Sequence, residues 1–208
     1  MKKGIATLIA VGLIVIGTGN LTHTYAAELP MTEMQEAIDN TNYSEIMIIS
    51  AINGDVATGT QAEQDRNMKI DRQGLSYSKI KFNDLFLVSK IMTAEAGSYW
   101  LSDEWKMAVG EVLLNRVASP EFPNTVEECI YQPGQYYSKN SSYFKKLLPW
   151  ERETRLAWRL LEGERHLEPS VVFQANFAQG GGTFKSFYDR YLGWTYFCYS
   201  TKPGLYGE

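Results

Sequence analysis

Asn83 to Ala96, NDLFLVSKIMTAEA, is the stretch from which the rest of the chain is read. Placing its residues about 100° apart gathers Leu87, Val88, Ile91, Met92 and Ala94 on one side, the pattern of an amphipathic helix. Glu95 falls within that apolar side, one turn after Ile91 and two turns after Val88, and Gly97 is expected to end the helix. A carboxyl group there is expected to be buried against apolar side chains and to lie near the negative helix end. Both effects disfavour the charged form and suit the group to general-acid chemistry. The plain alternative is a glutamate that bends out to solvent or bonds to a neighbouring helix, and helix geometry does not choose between the two.

Outward from this helix, the N-terminus carries Lys2 and Lys3, an apolar run from Ile5 to Ile16, and Thr24-Tyr25-Ala26. This is the pattern of a secretory signal peptide over residues 1–26, an uncleaved anchor being the alternative. Cleavage after Ala26 removes both lysines and takes the formal charge from −4 to −6. With no basic run to neutralise phosphates, a nucleic-acid partner is excluded. No second stretch is apolar enough to span a bilayer, so no stable membrane insertion is expected after cleavage. Residues 27–79 are polar apart from Ile46 to Ile52, and read as a largely unstructured linker with one short strand. Residues 80–208 hold enough aromatic and aliphatic residues for one core.

In that domain, Ser102 opens a second helix through WKMAVGEVLLNRV, and Thr125 with Glu128 forms a capping box before a short helix. A further helix covers about residues 150–163. VVFQANF and TYFCYS then read as strands, with Gln179 to Gly182 as the turn between them. Helices followed by a small C-terminal antiparallel sheet define an α+β domain.

Once His23 leaves with the signal peptide, only His166 remains, which excludes a zinc site built on two or three histidines; neither metal nor cofactor is expected. Cys129 or Cys198 with His166 leaves a Cys-His hydrolase open, although His166 lies in the charged stretch EGERHLE. The cysteines themselves read either as one disulfide or as two buried thiols. Glu111, one turn before Asn115 on an apolar helix, is the rival acid, but a buried Glu-Asn hydrogen bond explains it equally well. Tyr131, Tyr136, Tyr137, Phe173 and Tyr196 suit a groove that stacks sugar rings, although aromatic residues are most often core.

The ordered pieces Ala94-Glu95-Ala96, VLLNRV (112–117), Ser119-Pro120, Phe122 to Val126 and IYQPGQ (130–135), with Val172-Phe173-Gln174 and Tyr196 to Tyr199, resemble the SleB/CwlJ type of cell wall hydrolase, the spore-cortex-lytic group. The resemblance spans about residues 85–200. It implies a lysozyme-like, mainly helical domain that cleaves peptidoglycan glycan strands as a lytic transglycosylase, exported to the cell wall, the extracellular space or the spore envelope. It assigns the catalytic acid to Glu95, and it brings Tyr131, Gln135, Tyr136, Phe173, Gln174 and Tyr196 forward as substrate-binding residues. Many members read AEARGE; here AEAGSYW lacks the second glutamate. One carboxyl group used twice fits that absence, first protonating the glycosidic oxygen and then taking the proton of the sugar's 6-hydroxyl as a 1,6-anhydro ring closes. Water in place of that hydroxyl gives a lysozyme-like muramidase. A non-catalytic glycan-binding scaffold remains the reading from another class, and an unidentified regulatory protein is left open as a partner.

Overall fold

A computed structural model describes residues 42–73, 78–136 and 140–207; the signal segment, residues 27–41 and Tyr137 lie outside the described residues. Among the described residues, seven α-helices precede a three-stranded sheet: α1 (Tyr43–Asn53), α2 (Val56–Gln73), α3 (Phe82–Ala96), α4 (Asp103–Ala118), α5 (Val126–Tyr131), α6 (Ser142–Lys146), α7 (Glu151–Leu161), β1 (Val171–Ala175), β2 (Thr183–Asp189) and β3 (Gly193–Tyr199). The α+β expectation is met by this mixed architecture.

The linker expected over residues 27–79 is corrected for its described part, where Tyr43–Asn53 and Val56–Gln73 are helical. The run IMIISAI lies in α1 and is not a strand: Asn42 caps the helix by accepting from the Glu45 amide at 3.2 Å, and Met47, Ile48 and Ala51 point into the core. Spacing of i, i+1 and i+4 is the helical one, but over seven residues it is overshadowed by β-branched content. The polar α2 owes its place to a few contacts. Ala62 and Ile70 are buried, Glu63 accepts from the Phe82 amide at 2.8 Å, and a Cβ at Gly59 would stand 2.1 Å from the Phe82 ring.

The central element is α3, against which α1, α2, α4, α5 and α7 all pack. It is buried on almost every side, so Ser89 and Thr93 must satisfy their hydroxyls within the helix, on the carbonyls of Leu85 at 2.6 Å and Ser89 at 2.8 Å. Gly110 lets α4 approach closely, since a Cβ there would lie 2.7 Å from both Met92 and Leu160.

The sheet is antiparallel in the order β1-β3-β2. The glycine turn leads into β2 (Thr183–Asp189), a strand that sequence reading passed over because its alternation is broken by Lys185 and Ser186. One sheet face, with Phe187 and Phe197, packs on α4 through Trp105, whose ring stacks on Phe187 at 5.3 Å. The other carries Phe173, Tyr188, Trp194 and Tyr196.

Candidate active site

Glu95 is on the last turn of α3 and is exposed. Its stripe is as read, with Val88 and Ile91 fully buried, but the stripe leaves the core at the helix end. Apolar burial of Glu95 is therefore corrected: periodicity fixes the face of a helix and not the depth at which the face ends. Gly97 keeps a right-handed φ of −69°, so it is not a left-handed cap; its role is steric, because a Cβ would stand 2.2 Å from the Thr93 carbonyl oxygen. The cap is instead Lys106 of α4. Its buried ammonium donates to the carbonyls of Ala96 at 2.6 Å and Ser98 at 3.0 Å and to Glu153 at 2.5 Å, a fixed positive charge at the negative end of the helix that bears Glu95.

Arg116, near the end of α4, gathers the next part of the site. It donates through Nε to the Val172 carbonyl at 2.6 Å on edge strand β1 and through Nη1 to Gln135 Oε1 at 2.8 Å. Its guanidinium lies over the rings of Phe122 at 5.3 Å and Tyr136 at 5.4 Å, and Phe122 meets Phe173 edge-on at 6.2 Å. Gln135, Tyr136 and Phe173 are thus brought together. Tyr136 is the one non-glycine residue with positive φ, 43°, among the described residues, a strained backbone of the kind that collects at functional sites. Its ring is half-buried, and its hydroxyl is buried with no hydrogen bond to the protein. Burial pushes this phenol up to about 12; Arg116 pulls the other way, and the nearby Glu95 charge adds to the rise.

Gln174 lies next to Phe173 on β1 but faces the opposite side of the sheet, its Oε1 also buried without a hydrogen bond. Tyr196 shares the Phe173 face and stacks on Trp194 at 5.8 Å. Tyr131 ends α5, exposed. Arg116 itself was not singled out by sequence reading. The signal was a charged residue inside VLLNRV, an otherwise apolar run on a central helix.

Glu111 is structural. Fully buried, it accepts from the amides of His166, at 2.9 Å on each oxygen, and of Leu167 at 2.8 Å. The Glu111-Asn115 bond is corrected too, since Asn115 donates to the carbonyls of Glu168 at 2.9 Å and Val171 at 3.0 Å. Both cysteines are buried free thiols. Cys129 donates to the Pro123 carbonyl at 3.0 Å, and burial pushes its thiol up to about 11, which keeps it from the thiolate form a nucleophile needs. The His166 ring meets Glu164 at 3.0 Å.

A family model described as Cell Wall Hydrolase matches residues 102–190, less than half of the chain. The match supports the cell wall hydrolase family and hydrolysis in peptidoglycan. It covers Arg116, Tyr136 and β2, stops before β3, and begins seven residues after Glu95. No curated protein and no solved structure matches the chain significantly.

Proposed function

We propose that this protein is an exported enzyme of the SleB/CwlJ type that cleaves peptidoglycan glycan strands between N-acetylmuramic acid and N-acetylglucosamine, with Glu95 as the single general acid and base. The observation that carries this reading is an accessible carboxylate at the end of an otherwise apolar helix stripe, next to the strained Tyr136 on its Arg116 platform. Glu95 protonates the glycosidic oxygen as the bond breaks, and the resulting carboxylate accepts a proton from the sugar's 6-hydroxyl, giving the 1,6-anhydro product of a lytic transglycosylase. Gln135, Tyr136, Phe173, Tyr131 and Tyr196 contact the strand. A lysozyme-like arrangement of the helices belongs to the same reading.

Mass analysis of fragments released from purified peptidoglycan tests it. Wild-type protein is expected to release anhydro-muropeptides, and Glu95→Gln to lower release by roughly 100-fold or more while staying folded. Near-normal release by Glu95→Gln overturns the site. Reducing N-acetylmuramic acid ends that still depend on Glu95 keep the site and make the enzyme a muramidase.

A further inference from the structure

Five residues beyond Glu95 the chain exposes a cluster of rings that the fold does not use. Tyr99 and Trp100 meet edge-on at 5.2 Å, and Trp100 meets Tyr191 of the β2–β3 turn at 6.1 Å. All three are largely exposed, as is Tyr188, which pairs with Trp194 at 5.1 Å. The cluster is organised by hydrogen bonds. Trp100 Nε1 donates to Asp189 Oδ2 at 3.2 Å, and the other oxygen of Asp189 accepts from the amides of Tyr191 at 2.9 Å and Leu192 at 3.0 Å, which ties the loop after α3 to the hairpin. Between them lies a cleft of about 210 Å³, lined by Trp100, Ser102, Trp105, Phe187, Tyr188 and Asp189.

Exposed, oriented rings beside polar groups are unfavourable in water unless a ligand covers them, and the ligand they suit has apolar faces and hydroxyl edges. A pyranose ring has both. Its C–H face lies on an indole or phenol, and its hydroxyl groups bond to a carboxylate such as Asp189. Arg190, 4.4 Å over the Tyr191 ring, adds a positive charge at the rim, complementary to the carboxylates of peptide stems borne by the wall polymer. The loop that lines the cleft begins at Gly97, two residues after Glu95.

We propose that the cleft between residues 99–102 and the β2–β3 hairpin is a sugar-binding subsite, in which Trp100, Tyr191 and Asp189 hold the peptidoglycan strand beyond the bond presented to Glu95. The inference rests on the glycan-cleaving function proposed above and adds the place where the strand is gripped.

Co-sedimentation of the full chain with insoluble peptidoglycan, in the Glu95→Gln background, reads binding without turnover. Trp100→Ala with Tyr191→Ala is expected to weaken it about 10-fold or more, and Trp100→Phe with Tyr191→Phe to hold it within about threefold, since the rings remain. With Glu95 intact, the double alanine variant is expected to raise KM for long strands by a similar factor. Equal binding with and without the rings overturns the subsite alone. So does a loss seen instead in binding to phosphatidylglycerol vesicles or in self-association, where the rings serve a membrane or a second copy. Ring-dependent binding by a wild-type chain that releases no fragments supports the subsite and overturns the cleavage reading.

Discussion

The carboxylate of Glu111 takes the backbone amide of His166 on both of its oxygens, at 2.9 Å each, and so fastens the chain entering the sheet to the middle of α4. Asn115 and Arg116 continue the row, on the carbonyls of Glu168, Val171 and Val172. Glu111→Gln places an amide NH2 where two backbone donors converge, and is expected to cost about 2–3 kcal/mol in a urea titration. Activity per folded molecule should stay near wild type, in contrast to Glu95→Gln. Loss of activity with full stability would make Glu111 the chemical group.

Lys106 and Glu153 form a buried ion pair that also ends α3. Lys106→Met leaves Glu153 buried without a counter-charge and two carbonyls uncapped, and roughly 3–5 kcal/mol of stability should be lost. Adding Glu153→Leu removes the stranded charge and is expected to recover a large part of it. Denaturation of the two singles and the double checks the coupling. The double variant should still cleave poorly, because the ammonium that orders the end of the helix bearing Glu95 is gone.

A chain beginning at residue 80 is expected to unfold or aggregate, in contrast to one beginning at Asn42. Removing α1 and α2 uncovers the surfaces against which Met47, Ile48, Ala51, Ala62 and Ile70 pack. Each large side chain among them is worth about 1.5–3 kcal/mol of burial, against a total stability of roughly 5–15 kcal/mol. Circular dichroism melting of the two truncations decides; a cooperative melt of the shorter one would return α1 and α2 to a dispensable role.

This is also where the sequence was least legible. Local signals that act within one turn read correctly: Ser102 and Thr125 cap α4 and α5 as their spacing requires, and Glu95 lies on the stripe of Val88 and Ile91. What went unread depends on distant partners. The polar α2 is held by Phe82, 19 residues beyond Glu63, and Arg116 reaches Val172, 56 residues away. The exposure of Glu95 depends on where the core stops, which no local pattern encodes. The candidate site shows the same division, since IYQPGQ marked Gln135 but only the fold places Tyr136 over Arg116.

Tyr136→Phe separates the fold from the function at that position. The hydroxyl has no hydrogen-bond partner within the protein, so its removal leaves the melting temperature unchanged or raises it. The folded phenol is pushed up to about 12, above its ordinary value of about 10. A raised folded value means that the fold favours the neutral phenol over the phenolate, a preference satisfied in full below pH 10 that costs stability as pH climbs from about 10 to 12, where the unfolded chain ionises first. Wild-type stability should therefore fall more steeply than that of Tyr136→Phe across this window, by up to one proton in the slope. If the hydroxyl contacts the strand beside Glu95, the variant should also cleave peptidoglycan about 10-fold more slowly at neutral pH. Stability curves from pH 9 to 12 and fragment release at pH 7 test the two claims. A variant matching wild type in both would reduce Tyr136 to a packing residue, and one that melts higher but cleaves less would identify a hydroxyl kept for the substrate at the expense of the fold.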